Sequence, residues 1–257
     1  MFVDSHCHIY FDGLAERLPE LLEHMREQQV THALLACVDL ETYPSLLALA
    51  EQHDNLFASV GVHPDHEDMR EPTVAELVEL ARHPKVVAIG ETGLDYYWDR
   101  VKPAVQQEHF RRHLELAKRL GLPLMIHDRD AHADVLRILL EQGAPRQVVF
   151  HAFSGDEAMA RTCVEAGYFL SIPGVVSFAN APGLRAAVGA VPAANLLVET
   201  DAPFLTPHPF RGRPNAPYLL PYTLRALALA TRLSVADLCE TTMRNGARAF
   251  GARFASS

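Results

Sequence analysis

Nothing in these 257 residues approaches the ~20 consecutive apolar positions that a membrane-crossing helix needs. No secretory leader is expected either: Asp4 interrupts the first apolar run and histidines follow at once. Basic excess is missing too. The 23 Lys and Arg stand against 32 Asp and Glu, for a net charge of -9, which argues against a protein that wraps duplex nucleic acid with a broad cationic surface. A nuclease that takes its positive charge from bound metal is not excluded. The four cysteines, Cys7, Cys37, Cys163 and Cys239, form no CxxC pair, so neither a disulfide scaffold nor a structural zinc module is indicated. There is no glycine-rich dinucleotide turn, no phosphate loop ending Gly-Lys-Ser/Thr, no internal repeat and no linker rich enough to divide the chain. The expectation is one domain over residues 1–257, a cytoplasmic protein with reduced thiols, no protein partner, and enough core to be a stable monomer.

Short apolar runs alternate with segments of 3.6-residue periodicity. The runs at 2–7, 32–38, 56–62, 86–89, 123–126, 147–150, 168–171 and 196–199 read as strands. Helical patterns lie at 14–29, 43–52, 73–82, 103–120, 131–142, 157–166 and 183–191, and two or three more at 221–231, 234–242 and 244–251. Such alternation, with strands apolar on both faces, means a parallel sheet. Eight strand–helix units in a chain of this length fit a closed (β/α)8 TIM barrel. The loop 202–220 carries five prolines, Arg211 and Arg213, and no acidic residue, so an ordered segment is expected at the barrel mouth.

The polar residues collect where the strands end. His6 and His8 alternate on the first strand and can share a face. The fourth strand terminates in Glu91, the fifth in His127, the sixth in His151, and the eighth leads into Asp201. In a barrel all these ends converge on one mouth. Buried charge needs a partner, and shared metal ions supply one. Six ligands are too many for one tetrahedral ion with an open position, so two ions are expected, bridged by Glu91. His6, His8 and Asp201 would hold the first, His127 and His151 the second. Such a pair serves hydrolysis, with Asp201 also able to take the proton of the attacking water. Zinc, manganese, cobalt, nickel or magnesium all suit such ligands.

Several longer stretches carry a family resemblance: Asp4-Ser-His-Cys-His8, Gly61-Val-His-Pro64, Gly90-Glu-Thr-Gly-Leu-Asp-Tyr96, Ile126-His-Asp-Arg129, His151-Ala-Phe-Ser-Gly155, Glu199-Thr-Asp-Ala-Pro203 and Arg213-Pro-Asn215. On these the chain resembles the TatD-like metal-dependent deoxyribonucleases, a branch of the amidohydrolase-type barrels. The resemblance implies a TIM barrel with the same six metal ligands at its C-terminal mouth. It also implies metal-dependent hydrolysis of DNA with 3'-5' exonuclease polarity. Ala152 departs from the family's frequent Cys, and Asp65, with His66 after it, from a frequent His. Substrate contacts are expected from Arg129 and Arg213, whose guanidinium forks match phosphate, and from His63 and Asn215. The substrate reading is DNA ends or short single strands. Its rival is an amidohydrolase, lactonase or phosphatase acting on a small anionic molecule.

Overall fold

The structure, a computed structural model, describes residues 1–66, 72–98 and 100–255. Strands β1 (Phe2–Cys7), β2 (Val30–Leu35), β3 (Leu56–Val60), β4 (Val86–Asp95), β5 (Leu124–Arg129), β6 (Val148–Phe150), β7 (Phe169–Ile172) and β8 (Leu196–Val198) pair in chain order, each with the next in parallel. Helices α1 (Leu18–Glu27), α2 (Tyr43–Gln52), α3 (Val74–Ala81), α4 (Pro103–Leu120), α5 (His132–Gln142), α6 (Glu157–Glu165) and α7 (Pro182–Gly189) fill the crossovers, and α8 (Leu220–Thr231) and α9 (Val235–Phe250) follow β8. The helix boundaries have local causes. Thr73 and Glu76 form a capping box on α3, Asp156 caps α6 by accepting the Met159 N–H, and Gly121 ends α4 in a left-handed conformation. Among the described residues no helix is long and apolar enough to cross a membrane.

The ends of the chain meet to close the barrel. The Asp201 N–H donates to the His6 carbonyl at 2.9 Å and the His8 N–H to the Ala202 carbonyl at 2.8 Å. Below them the buried Asp4 carboxylate accepts the Thr200 N–H at 2.9 Å and its hydroxyl at 2.5 Å. The seam therefore runs through the residues expected to bind metal.

The interior is a packed core. One residue from each strand (Val3, Leu34, Phe57, Val87, Met125, Val149, Phe169 and Leu197) joins a buried apolar cluster that Ala249, Phe250 and Phe254 complete. The opposite strand faces pack with the helices in a second cluster, which includes Cys7. Asn245 of α9 donates to the Ala193 and Leu196 carbonyls at 2.7 Å each, tying the helix to the start of β8.

Two differences from the sequence reading have physical reasons. β4 continues to Asp95, well past the apolar run that ends at 89. Beyond an irregularity between Ile89 and Thr92 it stays paired with β5, Gly93 opposite His127 and Asp95 opposite Arg129. At Gly93 (φ 141°) a side chain would lie 2.0 Å from the His127 carbonyl oxygen, so the glycine that hides the strand from an apolar scan is what lets it pair. The segments 234–242 and 244–251 fuse into one helix, α9, with Gly246 inside it, where a Cβ would already be 3.2 Å from Val3.

Candidate metal centre

The inward-facing positions change character over two residues. Met125 and Val149 belong to the apolar cluster, and His127 and His151 follow at i+2. On β8, Leu197 is followed by Glu199 and then Asp201. On β5, β6 and β8 alternation carries the strand from apolar core to polar mouth, whereas on β1 His6 comes three residues after Val3, across a register irregularity between Asp4 and Cys7.

Glu91 lies at the centre of that mouth. Its Oε2 is 3.3 Å from His6 Nε2 and 3.8 Å from His8 Nε2. Its Oε1 is 3.0 Å from His127 Nδ1, 3.1 Å from His151 Nε2 and 3.3 Å from His63 Nε2. Asp201 Oδ1 completes the first set, 3.6 Å from His6 Nε2 and 3.4 Å from His8 Nε2. Two donor groups result, His6–His8–Asp201 and Glu91–His127–His151, each compact enough to hold a metal ion. Asp201 itself has a left-handed φ of 55°, a region that Asp tolerates better than most residues.

The far edges of the rings fix their near edges. His8 Nδ1 is 3.0 Å from the Ala36 carbonyl, which can only accept, so His8 donates there and presents a bare lone pair at Nε2. His127 Nε2 lies 2.9 Å from Asp95 Oδ2, and His151 Nδ1 lies 3.1 Å from Glu199 Oε1. Each carboxylate accepts a hydrogen bond from the ring N–H and turns the other nitrogen toward Glu91. Ala152, with φ 41°, aims its N–H at the same Glu199 oxygen at 2.7 Å.

The electrostatics show how tightly these groups are coupled. Burial, followed by the neighbouring His151, pushes His6 down to about 3. Burial alone would raise the Glu91 carboxyl, but His151, His63, His6 and the bond from His127 hold it well below the usual range. Burial would lower His151, and Glu91 with Glu199 outweighs that and raises it well above an ordinary histidine. Without a cation, protons must neutralise this cluster. A divalent ion replaces them, so the donor set, imidazole nitrogens and carboxylate oxygens aimed at one another out of solvent, fits divalent metal.

The centre opens into a cavity of about 580 Å³ lined also by Phe11, His63, Trp98, Arg100, Arg129 and Phe204. Arg129 reaches it with its guanidinium 3.8 Å from the centre of the Tyr97 ring, and among the described residues it makes no ion pair. His63 also lines it, held by Asp65 at 2.6 Å and, through that residue and Glu91 acting against burial, raised to about 9. The other two expected substrate residues sit elsewhere. Asn215 is wholly buried and spends its amide on the Thr200 and Phe204 carbonyls, so it holds the loop. Arg213 lines a separate cavity beside Arg17 and Tyr218, where Thr206 Oγ donates to its backbone carbonyl at 2.6 Å. A loop without acids left Arg213 without an ion-pair partner in sequence, but the backbone hydrogen bonds that orient the loop leave no trace in charge pattern.

Sequence reasoning missed the supports. Asp95 and Glu199 are not among the site residues read from the sequence, and the structure places them on His127 and His151. Glu199 stands two residues after inward-facing Leu197 and Asp95 four after Glu91, and that spacing was the available signal. Phe11, parallel to His8 at 4.8 Å between ring centres, and Phe204, 51 % exposed, carried none.

Known proteins resemble the chain along nearly its whole length. The family model described as TatD related DNase matches residues 3–251. A metal-dependent hydrolase of Mycobacterium tuberculosis designated TatD is 46 % identical, with 97 % of each chain covered. The metal-dependent hydrolase YabD of Bacillus subtilis is 38 % identical, covering 97 % of this chain and 99 % of that one. Among solved structures, YjjV of Escherichia coli K12, a TatD homologue, superimposes with a TM-score of 0.91 at 30 % identity, again over 97 % of each chain.

Proposed function

We propose, starting from the premise that the chain belongs to the TatD-related family of metal-dependent hydrolases, that it hydrolyses phosphodiester bonds at the ends of DNA strands in the 3'-5' direction. The observation that carries this reading is the Glu91 carboxylate, whose two oxygens face two separate imidazole sets. His6, His8 and Asp201 would hold one divalent ion, and His127 and His151 a second, with Glu91 within reach of both groups. Bound there, divalent metal would supply Lewis acidity for the activation of water and for the charge of the phosphate.

The remaining chemistry belongs to the side chains. Asp201 is the catalytic base: its Oδ1 approaches His6 and His8, and its second oxygen takes the proton of the attacking water. Asp95 and Glu199 keep His127 and His151 oriented. Arg129, stacked on Tyr97 and without an ion-pair partner among the described residues, grips the non-bridging oxygens of the phosphate, and His63 adds a second positive group on the same wall. With so few cations at the mouth, DNA is held over a few nucleotides, and the salt dependence of binding is shallow.

The test is hydrolysis of a labelled single strand, a dinucleotide, p-nitrophenyl phosphate and a lactone panel under Mg²⁺, Mn²⁺, Co²⁺ and Zn²⁺. DNA trimming that falls at least ~100-fold in Asp201→Asn, with circular dichroism unchanged, is expected. Brisk lactone or amide hydrolysis with intact DNA in every metal would replace this reading with a small-molecule hydrolase.

A further inference from the structure

A second cavity opens off the first. The two share His127, Arg129, His151, Asp201 and Leu205, so they meet at the donor cluster. The smaller one, about 340 Å³, is walled chiefly by Phe153, Pro173, Val175, Leu184 and Leu205. That volume falls in the range of about 300–1,000 Å³ typical of small-ligand sites. Its walls are fastened together. Gly174 comes so close to Leu205 that a side chain there would lie 2.1 Å from the Leu205 carbonyl oxygen, and the His208 N–H donates to Ser177 Oγ at 2.9 Å. The Phe153 N–H donates to the Ser171 carbonyl at 3.0 Å. The loops after β6, β7 and β8 thus form one continuous apolar surface.

Positive charge is divided unevenly between the cavities. The larger has Arg100 and Arg129 beside Trp98. Apart from the shared histidines, the smaller has only the shared Arg129. Arg211, on the loop after β8, lies over the Phe178 ring at 3.7 Å and does not line it. A strand continuing through the smaller cavity would bring a second phosphate against Phe153, Val175 and Leu184 with no cation to meet it, and a desolvated, unpaired charge is strongly disfavoured. A single nucleoside beyond the scissile phosphate carries no such charge, and its base and sugar cover the apolar wall.

We infer that the smaller cavity seats the terminal nucleoside, with the scissile phosphate at the donor cluster and the rest of the strand in the larger cavity. The division of the mouth then restricts cleavage to one residue from a chain end. This rests on the DNA reading above and adds the structural basis of its end specificity. Val175, half-buried between Gly174 and Val176, is the residue that sets the room available to the terminal base.

The experiment compares a linear single strand with the same sequence closed into a circle, in the metal-loaded wild type and in Val175→Trp. Titration calorimetry with a non-hydrolysable dinucleoside methylphosphonate accompanies it. The linear strand is released as mononucleotides and the circle stays intact. Val175→Trp lowers kcat/KM on the linear strand and weakens the methylphosphonate by at least ~10-fold each, with melting temperature and bound metal unchanged. Val175→Ala, which folds with less demand, shifts the preference between terminal purines and pyrimidines by ~3-fold or more toward purines. A circle cut as fast as the linear strand, or wild-type binding and rates in a folded Val175→Trp, overturns the assignment while leaving the DNA reading standing. If Val175→Trp fails to fold, an unchanged base preference in Val175→Ala overturns it equally. Wild-type protein that leaves all DNA intact in every metal fails at the underlying reading, and the assignment falls with it.

Discussion

The floor and the mouth of this barrel are made by the same eight strands and obey the same alternation, yet they differ in what each inward-facing residue does. At the floor, Phe57, Val149, Phe169 and their neighbours pack into one apolar cluster with Phe254, capped by Lys85 over the Phe57 ring and Arg248 over the Phe169 ring. Two residues beyond Met125, Val149 and Leu197 stand His127, His151 and Glu199, part of a set of histidines and carboxylates whose contacts are mutual attraction and whose charge calls for a cation. A barrel strand thus separates stability from chemistry by one step of its pleat. The floor should tolerate loss of function-neutral volume badly, and the mouth should tolerate loss of donors without unfolding.

The sharpest way to break that division is Glu91→Gln. An amide faces the histidines with one acceptor in place of two anionic oxygens, so hydrolysis should fall at least ~1,000-fold, about 4 kcal/mol of transition-state stabilisation, while circular dichroism stays native. Metal analysis on the same sample should show fewer than the wild-type number of ions. Phe169→Ala probes the opposite end. It should cost about 3–5 kcal/mol in denaturant unfolding, yet leave kcat/KM at 25 °C within twofold, because the cavity forms beneath the centre. A rate loss matching the stability loss would show that floor and mouth are not separable.

A subtler cut lies in the supports of the mouth. Glu199→Gln keeps the shape but loses the negative charge behind His151, and metal affinity at the His127–His151 group should drop ~10–100-fold, read by competition with a chelator, while the His6–His8–Asp201 group keeps its ion. Equal weakening of both groups would mean that they behave as one site. The smallest effect concerns two arginines, one at the end of β5 and one on the loop after β8. Arg129→Ala should raise KM for a short strand by ~10-fold or more, consistent with a charge-assisted contact worth about 1.5–3 kcal/mol, whereas Arg213→Ala should change it less than twofold. The reverse order would place the strand over the loop after β8.

Much of this was legible in the chain. Apolar runs located eight strands because barrel strands are covered on both faces, and two strands ran beyond their signal, β4 through Gly90 and Gly93 and β5 through the polar His127, Asp128 and Arg129. The structure brings His6, His8, Glu91, His127, His151 and Asp201 together because strand ends in a barrel have nowhere else to point. Asn215 and Arg213 were harder. Their orientation depends on hydrogen bonds to the Thr200 and Phe204 carbonyls and from Thr206, partners that any sequence would supply. Asp95 and Glu199 were visible as charges, but which histidine each would support depends on barrel geometry.

The seam through His6, His8 and Asp201 has a bearing on synthesis. The β1 histidines and Asp201, 193 positions apart at the nearest, come together only when β8 has left the ribosome and docked beside β1. A nascent or truncated chain carries single histidines but no assembled pocket, so it sequesters no ion pair of its own and carries no hydrolytic activity at the polysome. Completion and activation become one event, and a divalent ion captured by the finished chain then favours the closed ring by mass action, latching the last strand to the first.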